Sequence, residues 1–239
     1  MPRISPTRYA MLRLLERERQ IVTPGPVITI SREYGCPSKP IAALVTEKIN
    51  HSGVKQKWHW ISKEILEESA RKLGLSPREI RHIFEYRERS FLEDLLISQE
   101  KKRYYHSGWA IRKAVGEVIR ATAMEGNVII VGRAGVALTR DIEASLHIRL
   151  IAPEEWRISE VARHHNIPKE EAAKRVRELD KKRREFMEHY LKRPFDDTLF
   201  DVIFNCSTLS QEEIATAIFQ MALTKKLIKL PADTRLSTV

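Results

Sequence analysis

The sequence predicts an α/β fold built on a mostly parallel, doubly wound sheet. Short, wholly apolar runs such as Val27–Ile30 and Val128–Val131 have the composition of strands buried on both faces. Long stretches of helical periodicity separate these runs, and parallel neighbours need crossovers of that kind. Glycine and proline mark the junctions, as in Pro24-Gly25-Pro26 and Gly126-Asn127.

Residues 1–24 read as a basic amphipathic helix, a packing or partner-contacting extension ended by the Pro-Gly-Pro turn. Val27-Ile28-Thr29-Ile30 is the first strand, and the polar stretch from Ser31 to Pro40 is its exit loop. From Pro40, apolar residues at Ile41, Leu44, Val45 and Ile49 fit a helix, with proline tolerated in its first turn. Trp58 and Trp60 alternate as on a short strand, with the core as their expected place. Several helices follow from Ser62, one opened by the capping-box order Ser76-Pro77-Arg78-Glu79 and another spanning about 108–124. Further strands are expected at Val128–Val131, Leu146–Leu150 and Asp201–Asn205. Between the last two lie a helix opening at Ala152-Pro153 and a long one reaching about Tyr190. Ser210 caps a final helix, and a frayed tail is expected after Lys229.

A chain of 239 residues suits one α/β domain with an insertion. Its net charge of +10 and pI near 9.7 favour polyanionic partners: nucleic acid, a membrane surface or phosphorylated small molecules. Acids are interspersed with the bases, which argues against a nucleic-acid-binding arm. No run approaches the roughly 18 apolar residues of a membrane span. The first twenty residues lack the apolar centre of a secretory signal. Two cysteines are too few for a disulfide framework, and no Cys/His cluster has zinc spacing, so a reducing cytoplasm is the expected setting.

Three constellations follow predicted strands or lie on the long helix. In the first, strand–loop–helix geometry aims free N–H groups at an anion, with Arg32 and Lys39 adding charge. Against the pattern G-x-x-x-x-G-K-[ST], only Lys39 matches; Glu33, Ser38 and Pro40 replace the two glycines and the hydroxyl. Ser31 and Ser38 remain as nearby hydroxyls, and a plain βα connection is the alternative. In the second, Gly132-Arg133-Ala134-Gly135 either aims a phosphate-gripping guanidinium into the crevice or is a tight turn with a solvated arginine. In the third, Arg177, Asp180, Arg183 and Arg184 recur at helical spacing. They could close over phosphates, or make surface ion pairs worth only about 0.3–0.5 kcal/mol each.

Taken together, these segments resemble the cytidylate kinase-like family of nucleoside monophosphate kinases, from Val27 to about Ile218. The resemblance rests on ITISREYG (28–35), WISKEILEESARKLGLS (60–76), NVIIVGRAG (127–135) and LHIRLIAPEEWRI (146–158). RELDKKR (177–183) and LFDVIFNCSTLSQEE (199–213) continue it in order. It implies a three-layer P-loop NTPase domain over 27–229, with a helical substrate-binding insertion at about 62–125 and a helical lid at about 168–197. Residues 1–26 would then be an N-terminal extension and 230–239 a flexible tail.

The implied reaction is transfer of the γ-phosphoryl group of Mg2+-ATP to CMP or dCMP. Lys39 takes the basic position of the phosphate loop, beside Ser31, Arg32, Gly35 and Ser38. Arg133 matches the arginine that contacts the acceptor monophosphate, with Ser62 on the acceptor side, while Arg177, Asp180 and Arg183 match the lid motif. The resemblance assigns no metal ligand to a residue of this chain. The family's loop is commonly GSGGR, whereas this chain reads Gly35-Cys36-Pro37-Ser38-Lys39. Ser62 and Ala134 stand where relatives carry aspartates. The altered loop motivates a second reading, a nucleotide-binding regulator without turnover.

Overall fold

A computed structural model describes residues 25–62, 67, 71 and 108–230. The helix expected over 1–24, those expected between 63 and 107 with the Ser76–Glu79 capping box, and the tail from 231 lie outside these residues.

Five strands, β1 (Val27–Arg32), β2 (His59–Ile61), β3 (Val128–Val131), β4 (Ser145–Ile151) and β5 (Val202–Asn205), form one sheet in the order β2-β3-β1-β4-β5. Every pairing is parallel. β1 lies at the centre because it is apolar on both faces. Ile28 and Ile30, with Leu146, Ile148 and Leu150 of β4, pack under α1 (Ser38–His51) and α6 (Gln211–Thr224). On the other face, Val27, Val128 and Ile130 meet Val115, Val118 and Ile119 of α2 (Gly108–Glu125). This is the three-layer α/β arrangement that the alternating runs predict.

The short α3 (Gly135–Thr139) follows β3 closely, with Gly135 against Thr29 and Ile130. Helices α4 (Glu154–His165) and α5 (Lys169–Leu191) pack through Val161, Ala172 and Val176, and Tyr34 of the β1–α1 loop seals their junction. Trp58 is buried in the core, as expected. Ser210 and Glu213 form a reciprocal capping box at the start of α6.

One boundary differs. Helix α1 starts at Ser38, two residues before Pro40, so Ser38 and Lys39 belong to its first turn and not to the loop. The Ile41 N–H donates to the Pro37 carbonyl, and Pro40 falls third, where the missing N–H has no intrahelical partner in any case. Among the described residues, no helix is long and apolar enough to cross a membrane.

Candidate active site

The site is built on the carboxyl ends of the central strands. Ser31 of β1 is in register with Arg149 of β4, so these polar residues leave the sheet side by side. With Arg32 and Glu33 they floor a cleft walled by Asp180, Arg183, Arg184 and Met187 of α5 and closed by Phe195 and Phe200.

Its outstanding property is a concentration of like charge. Arg32 is held well below the ordinary arginine pKa, first by burial and then by the guanidinium groups of Arg183 and Arg133. Arg183 is lowered too, again by burial first, against the opposing pull of Asp180. Arg183 donates to the Arg32 carbonyl at 3.3 Å and lies over the Tyr34 ring. Three guanidiniums drawn together in a part-buried place repel one another, and a bound anion relieves that repulsion. A fourth, Arg149, is aimed by Glu33 and Asp197 and stacks on Phe195 at 4.5 Å.

The turn after β3 holds this cluster in place. Gly132, Arg133 and Ala134 all have left-handed φ, at 76°, 57° and 54°. A side chain at Gly132 would occupy the place of the Arg32 guanidinium. Glycine avoids strain at this φ and leaves the Arg32 guanidinium its place.

A buried arginine that the sequence did not single out organises the surroundings. Arg157 of α4 has a side chain only 7% exposed. It donates to the carbonyls of Ala152 (2.9 Å) and Tyr34 (3.1 Å) and pairs with Glu33 (3.2 Å) and Asp180 (2.6 Å). The other oxygen of Asp180 accepts the Tyr34 N–H at 2.7 Å. Gly35 packs against the Arg157 backbone with φ of 101°, so no side chain fits between loop and helix.

The structure thus brings together Ser31, Arg32, Asp180 and Arg183, with Arg133 close enough to Arg32 to depress its pKa. It does not bring in Arg177, whose side chain is 69% exposed and pairs with Glu154 at 2.8 Å. Asp180 lies one three-residue step from each of Arg177 and Arg183, which are themselves about 120° apart around the helix, and its carboxylate is taken up by Arg157 and the Tyr34 N–H. Gly35 sits in the loop behind the cleft, Ser38 is buried, and Lys39 is exposed on the first turn of α1. Ser62 is buried just beyond β2, away from the described cleft.

Within the cleft, the carboxylates of Glu33 and Asp180 are both engaged by arginines, so a magnesium ion there would lean on the phosphates of its nucleotide.

A phosphate-loop-like strand–loop–helix beside an arginine-lined cleft, on a parallel three-layer sheet, defines an α/β protein of the P-loop type. The chain belongs to the cytidylate kinase-like family, whose profile matches residues 27–208. It is 30% identical over 138 residues to a cytidylate kinase of Sulfurisphaera tokodaii, covering 57% of this chain and 75% of that one. To a cytidylate kinase of Methanopyrus kandleri it is 34% identical over 103 residues, covering 39% of this chain and 53% of that one. Among solved structures, an uncharacterized protein from Eubacterium ventriosum superposes with a TM-score of 0.56 at 18% identity, over 84% of this chain and 98% of the other. That similarity is one of fold.

Proposed function

We propose that this protein is a nucleoside monophosphate kinase that transfers the γ-phosphoryl group of ATP to CMP or dCMP. The observation that carries the reading is the crowding of Arg32, Arg133 and Arg183 at the end of the central strand. Membership of a cytidylate kinase-like family supplies the chemistry such a cluster serves.

In this reading an acceptor phosphate oxygen attacks the γ-phosphorus in line. The bond from that phosphorus to the bridging oxygen breaks, and ADP leaves. Arg133 holds the acceptor phosphate, while Arg32 and Arg183 face the charge that spreads over the transferring group. The N-terminal turn of α1 and exposed Lys39 hold the donor phosphates. Arg149 and Arg184, beside Phe195 and Phe200, line the same cleft. Asp180 and Arg157 are positioning residues that set the loop and α5. Magnesium arrives with the triphosphate, and no step runs through a metal held by the protein. Residues 168–197 act as the lid and residues 62–125 as the acceptor-side insertion of a cytoplasmic enzyme.

The test is ADP release in a coupled assay with CMP, dCMP, UMP, AMP and GMP as acceptors. ADP formation that depends on CMP or dCMP and exceeds that with the other acceptors supports the proposal. Nucleotide binding without ADP release for any acceptor supports the regulator that the altered Cys36-Pro37-Ser38 loop suggests.

A further inference from the structure

Cys36 and Cys206 are the chain's two cysteines, 170 residues apart, and both are buried and unoxidised. Neither has a part in the phosphoryl transfer above. They approach the end of β4 from opposite sides. Cys206 follows β5 and donates its N–H to the Ile151 carbonyl at 2.8 Å. The loop bearing Cys36 begins with Glu33, whose N–H donates to the Leu150 carbonyl at 3.0 Å, and the Cys36 N–H donates back to the Glu33 carbonyl at 3.3 Å. Consecutive carbonyls of one strand end thus hold Cys206 directly and, through Glu33, the loop that carries Cys36. Both side chains belong to the same core cluster as Leu150 and Ala152, close enough for each thiol to shift the ionisation of the other.

We propose that Cys36 and Cys206 form a reversible intramolecular disulfide that fastens the β1–α1 loop to the end of β5. The oxidant is a hydroperoxide. The Cys206 thiolate attacks one peroxide oxygen, the O–O bond breaks, and a sulfenic acid and hydroxide result, the hydroxide taking the proton that Cys206 released to become water. The Cys36 thiolate then attacks Sγ of Cys206, the S–S bond forms, and the S–O bond breaks. The departing hydroxide takes the proton that Cys36 releases. Two thiols and one hydrogen peroxide become one disulfide and two waters.

The mutual influence of the two thiols, which lowers the pKa of Cys206 and raises that of Cys36, agrees with this order of attack. Oxidation of Cys206 removes the negative charge that suppresses ionisation of Cys36, which frees the second thiol to react. In a reducing compartment such a bond is transient, the usual form of a redox-sensing disulfide.

The test treats the native full-length chain with hydrogen peroxide, alkylates the remaining thiols and measures the intact mass with and without dithiothreitol. The expected product has lost two hydrogens, takes no alkyl group and returns to the dithiol on reduction. Its thermal midpoint lies above that of the reduced chain, because the bond closes a long loop in the unfolded state. Cys206→Ser and Cys36→Ala should each give neither the crosslink nor the rise. Two alkylated thiols after a treatment that oxidises a control dithiol peptide would overturn the proposal. So would sulfinic acid at Cys206 with Cys36 still free, or a crosslink that lowers the midpoint. None of these readouts uses a nucleotide, so they stand apart from the kinase assay.

Discussion

The Asp180 carboxylate meets the Arg157 guanidinium at 2.6 Å, and this contact fastens α5 to the first helix of the α4–α5 pair. Because Asp180 also accepts the Tyr34 N–H, and Arg157 also donates to the Tyr34 carbonyl, one ion pair clasps both sides of a single loop residue. Removing Arg157 takes the ion-pair partner from Asp180, whereas removing Asp180 leaves the buried Arg157 still paired with Glu33. Arg157→Ala should cost about 3 kcal/mol and Asp180→Ala less. The double variant should cost far less than their sum, because both remove the same contact. Urea unfolding of all three variants checks this, and additive losses would mean that the two residues act separately.

Arg183 and Arg177 offer a matched pair for the proposed chemistry. Arg183 touches the loop backbone inside the cleft, whereas Arg177 pairs with Glu154 on the surface. Arg183→Lys should lower kcat at least about tenfold, or about 1.4 kcal/mol of barrier, because an ammonium lacks the planar fork. Arg177→Ala should leave kcat near the parental value and change stability by less than about 1 kcal/mol. Steady-state kinetics with melting curves decide, and equal losses of kcat would show that both arginines reach the reacting phosphates.

Gly132→Ala tests the cradle of Arg32. The new methyl group displaces the Arg32 guanidinium and burdens a backbone already at φ of 76°. Calorimetric titration with inorganic tripolyphosphate should show binding at least about tenfold weaker than in the parent, about 1.4 kcal/mol. Undiminished affinity would place the anion elsewhere.

His147 makes stability depend on pH. It lies buried in β4, its Nδ1 bonded to the Thr29 hydroxyl at 2.8 Å and its Nε2 without a partner. Burial lowers its pKa from 6.5 to about 4, against the pull of Asp201. The folded chain therefore holds the ring neutral where an unfolded chain would protonate it. That stabilisation is complete above pH 6.5 and is lost progressively as pH falls towards 4, by about 3 kcal/mol in all. Unfolding free energies between pH 7 and 4.5 should fall less steeply in His147→Asn. An unchanged slope would exclude His147 as the source.

Much of this architecture is legible in the sequence, for a definite reason. β1, β3 and the capping box of α6 are local patterns, and nothing in the tertiary structure overrides them. The cleft is legible only in part. Spacing marks Arg177, Asp180 and Arg183 as neighbours on a helix, but the choice of inward face depends on what packs against α5, and that places Asp180 on Arg157. Arg157 itself carried no signal beyond being one basic residue in a helix. Arg149 carried a faint one, as a polar position among the apolar residues of its strand. The start of α1 at Ser38 was obscured by Pro40, which suits the first helical residue as well as it suits the third.

The position of β1 also bears on how the chain is made. This is the first strand of the sheet to be synthesised, yet its two neighbours begin at Val128 and Ser145. At about 5–20 residues per second, the ribosome leaves β1 waiting on the order of 5–20 s before either exists. During that time an apolar segment meant for the centre of the sheet has nothing to pair with. A pairing so distant in sequence places the fold among slow folders. The nascent chain, rather than the finished protein, is where exposure of Val27–Ile30 carries the greater risk of aggregation.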